Sequence, residues 1–80
     1  MIKEHLSKTW LLHPDEIPEG RLEKLMLIRA ALANVFRNVH EENLWLREPH
    51  DLLGEQTPLY HMLYGDIDLV MEIVEYLAGR

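Results

Sequence analysis

Cysteine is absent from this sequence, which excludes disulfide bonds and thiolate metal ligands and is typical of a reducing compartment. Long apolar runs are absent too, since none approaches the roughly 20 residues needed to cross a bilayer. The residues after Met1 have neither the basic start nor the apolar core of a secretory signal. We therefore expect a cytoplasmic protein that does not contact the membrane.

Basic residues are scarce. Eight Lys and Arg stand against fourteen Asp and Glu, which gives a formal net charge of −6. Such a field repels nucleic acid unless the cations cluster, and here the largest local excess, Lys3 and Lys8, is interrupted by Glu4. We therefore do not expect direct binding to nucleic acid, and a basic protein partner matches the charge better.

The usual patterns of catalysis and metal binding are missing. The stretch from His40 to Glu42 lacks the second His of a zinc helix of the H-E-x-x-H type, and no two of the five His are spaced i, i+4. Glu72 and Glu75 share the polar side of a predicted helix, with no apolar pocket that would prepare a carboxyl group for acid–base chemistry. We expect no catalytic residues, no cofactor and no metal, and hence no enzyme.

Apolar residues recur with the spacing of helices, whereas Val, Ile and Thr never form the alternating pattern of strands. The pattern predicts helices over residues 2–12, 18–38, 41–47, 58–65 and 67–78. The expected fold is therefore all-α, a compact bundle of four to five short helices. We divide the chain into an N-terminal segment at 1–17, with a short helix and a turn, and a helical domain at 18–80.

Helix stops and starts are unusually dense between residues 43 and 66. In order, Pro49 stops a helix, Gly54 permits a turn with positive φ, Thr57-Pro58 starts a helix, Gly65 permits another turn, and Asp66 caps the last helix. The apolar residues of this stretch, including Leu44, Leu52 and Leu53, are expected to face inward. Trp45 is interpreted as a core anchor in preference to a recognition motif.

This order and spacing resemble the toxin-binding domain of the Xre/MbcA/ParS antitoxin family. The matching features are Trp45-Leu46, Pro49, Leu53-Gly54, Thr57-Pro58-Leu59, Gly65, Val70, Ile73-Val74, Leu77 and Gly79, and the resemblance covers about residues 25–80. The usual member also has an upstream part similar to a helix-turn-helix, for which the residues before Pro18 leave no room. We therefore expect that part, and with it the basis for transcriptional autoregulation, to be missing.

The resemblance implies an antitoxin that binds a RES-domain toxin, an enzyme that depletes cellular NAD. In similar complexes the C-terminal helix and tail of the antitoxin lie near the toxin's active-site cleft, so Gly79 and Arg80 would be the blocking residues. Leu69 and Tyr76 lie off the core side of the last helix and are candidate anchors for the partner. Glu72, with Glu75, would steer a basic partner.

Each of these residues also has a purely structural interpretation. Leu69 and Tyr76 could pack on the N-terminal segment, Gly79 could be a plain helix cap, and Arg80 could be solvated. Tyr60 and Tyr64 are spaced i, i+4 on one helix face, where we expect one ring to cover the core with its hydroxyl in water. A hydrogen bond from these tyrosines to a partner is the secondary interpretation.

Arg29 falls within the apolar side of the long predicted helix. The residues of that side are Leu22, Leu25, Met26, Ile28, Leu32, Ala33, Val35 and Phe36. A buried guanidinium without a partner is costly, so we predict an internal ion pair with the region of Asp51 and Glu55. Alternatively, Arg29 marks a place where the helix meets a binding partner.

A second function of another class is consistent with the same pattern. The chain could be a structural or adaptor bundle that forms homo-oligomers through exposed apolar helix faces, with no toxin partner. A neighbouring gene for a toxin-like protein would favour the antitoxin hypothesis, and its absence would favour the adaptor.

Overall fold

The computed structural model describes residues 2–79 and consists of α-helices joined by short turns. The helices are α1 (Ile2–Trp10), α2 (Leu22–Val35), α3 (Val39–Leu46), α4 (Pro58–Leu63) and α5 (Ile67–Ala78). Three 3-10 turns lie at Pro14–Glu16, Glu19–Arg21 and Asp51–Leu53. Residues 2–79 contain no strand, although His50 and Gln56 form an isolated antiparallel bridge. The predicted all-α fold is confirmed.

The core forms where α2 packs against α5, the most extensive contact between two helices. Buried aliphatic side chains on one side of each helix meet there, and α1, α3 and α4 cover their remaining edges. The buried cluster comprises Leu6, Trp10, Ile17, Leu25, Ile28, Leu32, Leu46, Leu53, Met62, Ile67, Val70 and Val74. Trp45 is half-buried and packs against the edge of this cluster, so it belongs to the core only in part.

Side-chain caps begin the last two helices where the sequence predicts them. The Thr57 Oγ1 accepts a hydrogen bond from the Tyr60 N–H at 3.0 Å, and Pro58 occupies the first turn of α4. The Asp66 Oδ1 accepts from the Leu69 N–H at 3.2 Å at the start of α5. Gly54 has the expected positive φ, 67°, directly after the Asp51–Leu53 turn. These local signals determine where α4 and α5 begin.

The predicted bounds of the first four helices are wrong at one end or both, since α3 spans Val39–Leu46 and α4 ends at Leu63. The first ends at Trp10 and does not reach residue 12. The second is α-helical over Leu22–Val35, after a separate 3-10 turn at Glu19–Arg21. Asn38 is not part of it, because its Oδ1 accepts a hydrogen bond from the Glu41 N–H at 2.9 Å and thereby starts α3.

Several apolar residues that we predicted to face inward are exposed. On α2 these are Met26, which is 42% exposed, and Ala33, because the contact with α5 is narrower than the apolar side of the helix. Leu44 of α3 is 56% exposed and Leu52 is 68% exposed. In the tight Asp51–Leu53 turn only one of two consecutive leucines can point inward, and that one is Leu53.

The N-terminal segment contributes to the same core as the helices that follow it. Leu6, Trp10 and Ile17 are buried within one cluster with residues of α2 and α5. The division of the chain at residue 17 stays a prediction, but the packing joins both sides of it.

Candidate partner-binding surface

A surface groove, here called the α5 groove, runs between α5 and the Asp51–Leu53 turn. It is lined by Leu52, Leu69, Glu72, Ile73 and Tyr76. Leu52 is 68% exposed and Tyr76 is 64% exposed, although both side chains are large and hydrophobic. Contiguous exposed apolar surface of this kind is typical of binding sites.

The buried face of α5 determines which of its side chains line the groove. Val70 and Val74 are fully buried against α2, which fixes the rotation of α5 about its axis. At 100° per residue, Glu72 and Tyr76 must then point away from the core. Leu69 is half-buried at the border, where it packs against the core cluster. The groove therefore has an apolar floor and a partly polar rim.

The structure brings three of the predicted partner-binding residues together and separates the others. Leu69, Glu72 and Tyr76 all line the α5 groove, and their contact with a partner stays a prediction. Gly79 is the C-cap of α5, where its N–H donates to the Glu75 carbonyl oxygen at 2.8 Å. Arg80 lies outside the described residues.

Tyr60 and Tyr64 lie on the outer side of α4, with ring centroids 5.8 Å apart. They are 44% and 60% exposed, so the prediction that one ring covers the core is wrong. Met62 and Leu63 occupy the buried side of this short helix instead. A role of the two tyrosines in partner binding stays a prediction.

Arg29 forms the predicted internal ion pair, but with a different partner. Its Nη1 lies 3.3 Å from the Oε1 of Glu42, which is on α3 and not in the predicted Asp51 and Glu55 region. This follows from the three-residue connection after Val35, which folds α3 back against α2. Its Nε is buried and has no hydrogen-bond partner among residues 2–79. A contact of Arg29 with a binding partner stays a prediction.

Sequence reasoning missed the buried contact between Trp10 and Glu42. The indole Nε1–H donates to the Glu42 Oε2 at 2.6 Å, and both residues are buried. The same carboxylate thus holds Trp10 of α1 and Arg29 of α2. The one signal in the sequence is that Glu42 precedes the buried Leu46 by four residues and so shares its side of α3.

Further polar contacts attach α1 to α3. The Asn43 Nδ2 donates to the Thr9 carbonyl oxygen at 2.8 Å, and the Arg47 Nη2 donates to the Trp10 carbonyl oxygen at 2.6 Å. The Arg47 Nη1 also donates to the Asn43 Oδ1 at 2.6 Å. These bonds satisfy carbonyl groups at the C-terminal end of α1, which have no partner within the helix.

Within residues 2–79, no three His, Asp or Glu side chains are grouped so that they could hold a metal ion. The described helices are also too short or too polar for any of them to span a bilayer.

A small helical domain with an apolar groove and an acidic side chain at its rim has the features of a protein-interaction domain. A family model, described as the antitoxin Xre/MbcA/ParS C-terminal toxin-binding domain, matches residues 31–80. The chain belongs to this family, which points to a toxin protein as its partner and suggests a non-enzymatic role. No curated protein and no solved structure matches the chain.

Proposed function

We propose that this chain is the antitoxin of a toxin–antitoxin system and that it inhibits a RES-domain toxin, which depletes NAD. In this proposal α5 and the residues after it cover the active-site cleft of the toxin. Membership of the toxin-binding family supports the antitoxin role. The choice of toxin rests on the sequence resemblance. The observation that carries the proposal is the exposed α5 groove.

The arrangement of α5 suits inhibition by docking. Its inner side is already held by Val70 and Val74, so a partner can bind the outer side without unfolding the domain. Tyr76 would bury a large area on contact at a small cost in side-chain entropy. Glu72 and Glu75 are exposed and would speed association with a basic surface more than they would tighten it.

The end of the chain is the proposed blocking element. Gly79 follows the last turn of α5, and residues 75–79 are exposed, so a partner can reach this end of the helix. The planar guanidinium of Arg80 would suit a carboxylate or a nucleotide phosphate in the cleft of the toxin.

Co-expression with a RES-domain toxin tests the proposal. We expect the intact chain to restore growth and cellular NAD, and a chain that ends at Val74 to restore neither. Residues 75–79 are exposed, so their removal leaves the core in place, which thermal unfolding followed by circular dichroism would verify. Leu44→Ala, a change at another exposed site, is the control and should rescue fully. Equal rescue by the shortened chain would contradict the proposal.

Self-association is the second candidate, and one observation favours it. A second apolar groove, lined in part by Ile2, Met26 and Ala30, lies between α1 and α2. Ile2 is 48% exposed and Met26 is 42% exposed. Sedimentation of the purified chain should show a dimer that Met26→Lys converts to a monomer. A monomer at all concentrations would exclude this candidate.

A further inference from the structure

We propose that the α5 groove binds an apolar side chain that lies next to a lysine or arginine on the surface of the partner. Leu52 would provide the apolar contact that α5 alone cannot, and Glu72 would bind the cation. The identity of the partner as a toxin rests on the proposed function, whereas the chemistry of the partner side chains follows from the groove itself.

The Asp51–Leu53 turn holds Leu52 in an exposed position. Leu53 is only 3% exposed and anchors the turn in the core, whereas Leu52 is 68% exposed. The His50 Nδ1 accepts a hydrogen bond from the Leu52 N–H at 3.3 Å, and the His50 N–H donates to the Gln56 carbonyl oxygen at 3.0 Å. Because the backbone of this turn is already ordered, little backbone entropy is lost when Leu52 contacts a partner.

The opposite wall of the groove is a row of apolar side chains on α5. Leu69, Ile73 and Tyr76 are spaced i, i+4, i+7 and so lie along one side of the helix. The space between this row and Leu52 is about 490 Å³. That volume is within the range of about 300–1,000 Å³ typical of ligand sites and has room for a large side chain.

The acidic residues around the groove favour a partner in which a lysine or arginine lies next to the apolar side chain that enters the groove. Glu72 lines the groove and Asp51 adjoins Leu52, and no Lys or Arg is among the lining residues. Neither carboxylate forms an ion pair with another residue of the 2–79 range. Lys24 is not among the lining residues, and its Nζ lies 2.7 Å from the Asp68 Oδ1. A lysine or arginine of the partner would therefore form an ion pair with the Glu72 carboxylate.

A second copy of the chain is a poor occupant by the same reasoning. Each copy carries a formal net charge of −6, so two acidic surfaces would repel each other at the groove. The complementary surface is that of a different protein, with positive charge around an apolar side chain.

Matched variants test this inference with a purified RES-domain toxin. We expect Leu52→Ala to raise Kd about tenfold, as for a central interface residue. Glu72→Gln should slow association severalfold at low ionic strength and much less at high salt. The controls are Leu44→Ala and Glu41→Gln, exposed residues of the same types on α3, which should leave both quantities unchanged. Toxin binding that is the same in all four variants would overturn the inference and leave the antitoxin role intact.

A peptide titration tests the groove without the toxin. The probe is a helical peptide with a central Leu flanked by Arg, added to the ¹⁵N-labelled chain. We expect amide shifts at Leu52, Leu69 and Ile73, and none with a peptide that has Glu in place of each Arg. If the intact chain fails to bind the toxin but the Arg peptide shifts these amides, the proposed function fails and the groove inference stands. Shifts elsewhere, or equal shifts with both peptides, would overturn the groove inference.

Discussion

Leu11 occupies an unfavourable backbone conformation at the end of α1. Its φ is 58°, in the left-handed region that glycine usually fills at the end of a helix. The Leu12 N–H donates to the Ser7 carbonyl oxygen at 2.8 Å, the long bond that closes a Schellman motif. Leu11 is 73% exposed, so its side chain gains little from burial in return. The position therefore holds a leucine where stability alone favours glycine.

We expect Leu11→Gly to raise the free energy of unfolding by about 1 kcal/mol, because it removes the left-handed strain. Urea denaturation would measure the change. Leu44→Gly is the matched control, since Leu44 is also exposed but lies inside α3, where glycine should lower stability by about 1 kcal/mol. Changes of the same sign at both positions would contradict the interpretation of Leu11.

Arg29 stabilises the fold through the buried carboxylate of Glu42. We expect Arg29→Met to lower the free energy of unfolding by about 3 kcal/mol, because Glu42 would stay buried without its countercharge. The double variant Arg29→Met/Glu42→Met should recover part of this loss, since no buried charge remains. A double-mutant cycle in guanidinium chloride measures the coupling. If Arg29→Met changed neither stability nor partner affinity, both roles considered for Arg29 would be excluded.

At the scale of elements, helix starts are predictable when one residue encodes them locally. Thr57 and Asp66 cap the helices that their sequence context predicts. Asn38 was missed because the apolar spacing runs on past Val35, and a cap inside a continuing pattern gives no separate signal. The break is visible only in the structure, where the backbone of Phe36 is extended, with ψ of 147°.

The candidate site was predictable only for the part that lies on α5. The spacing of Leu69, Glu72 and Tyr76 predicts the outer side of a helix, and the structure places Glu72 and Tyr76 there and Leu69 at its border with the core. Leu52 could not be assigned to the groove, because the choice between two adjacent leucines depends on tertiary packing. The pair of Trp10 and Glu42 is 32 residues apart, beyond the reach of any local pattern.

His61 joins the Asp51–Leu53 turn to the start of α5. Its Nδ1 accepts a hydrogen bond from the Asp66 N–H at 3.0 Å, so the ring hydrogen of the neutral form resides on Nε2. That nitrogen donates to the Leu53 carbonyl oxygen at 3.0 Å. The ring occupies the space next to Gly65, where an added Cβ would lie 2.5 Å from the His61 Nδ1. Gly65 is therefore required by the position of the imidazole.

We expect Gly65→Ala to lower the free energy of unfolding by roughly 1–3 kcal/mol, because the methyl group displaces His61. The same change in a His61→Ala background should cost less, which a double-mutant cycle would measure. Gly20→Ala is the matched control, since nothing lies within 4 Å of a Cβ added at Gly20. We expect this change to leave the free energy of unfolding nearly the same. Equal effects at the two glycines would contradict this account.

At the scale of the whole molecule, the residues that match the family include only part of the buried core. The matched region starts at residue 31, whereas Leu6, Trp10, Leu25 and Ile28 belong to the same buried cluster as α5. Loss of each such side chain typically costs about 2–5 kcal/mol, and a small domain has only about 5–15 kcal/mol in total. The matched region is therefore not expected to be stable alone.

We predict that a chain of residues 31–80 unfolds without a sharp transition, in contrast to the whole chain. Thermal denaturation followed by circular dichroism would compare the two. A control chain of residues 2–74 keeps every residue of the core cluster and should retain a cooperative transition. Cooperative unfolding of residues 31–80 would show that α1 and most of α2 are dispensable.

The two tryptophans occupy surroundings that differ from each other and from the α5 groove. Trp10 is sealed in the core against the Glu42 carboxylate, and Trp45 lies 5.9 Å from the ring of Phe36, centroid to centroid. Neither lines the α5 groove. Their fluorescence should therefore shift to longer wavelength when the chain is denatured, yet stay constant when a tryptophan-free ligand occupies the groove. Emission therefore separates loss of folding from loss of docking in the groove variants Leu52→Ala and Glu72→Gln, which leave both tryptophans and their neighbours unchanged.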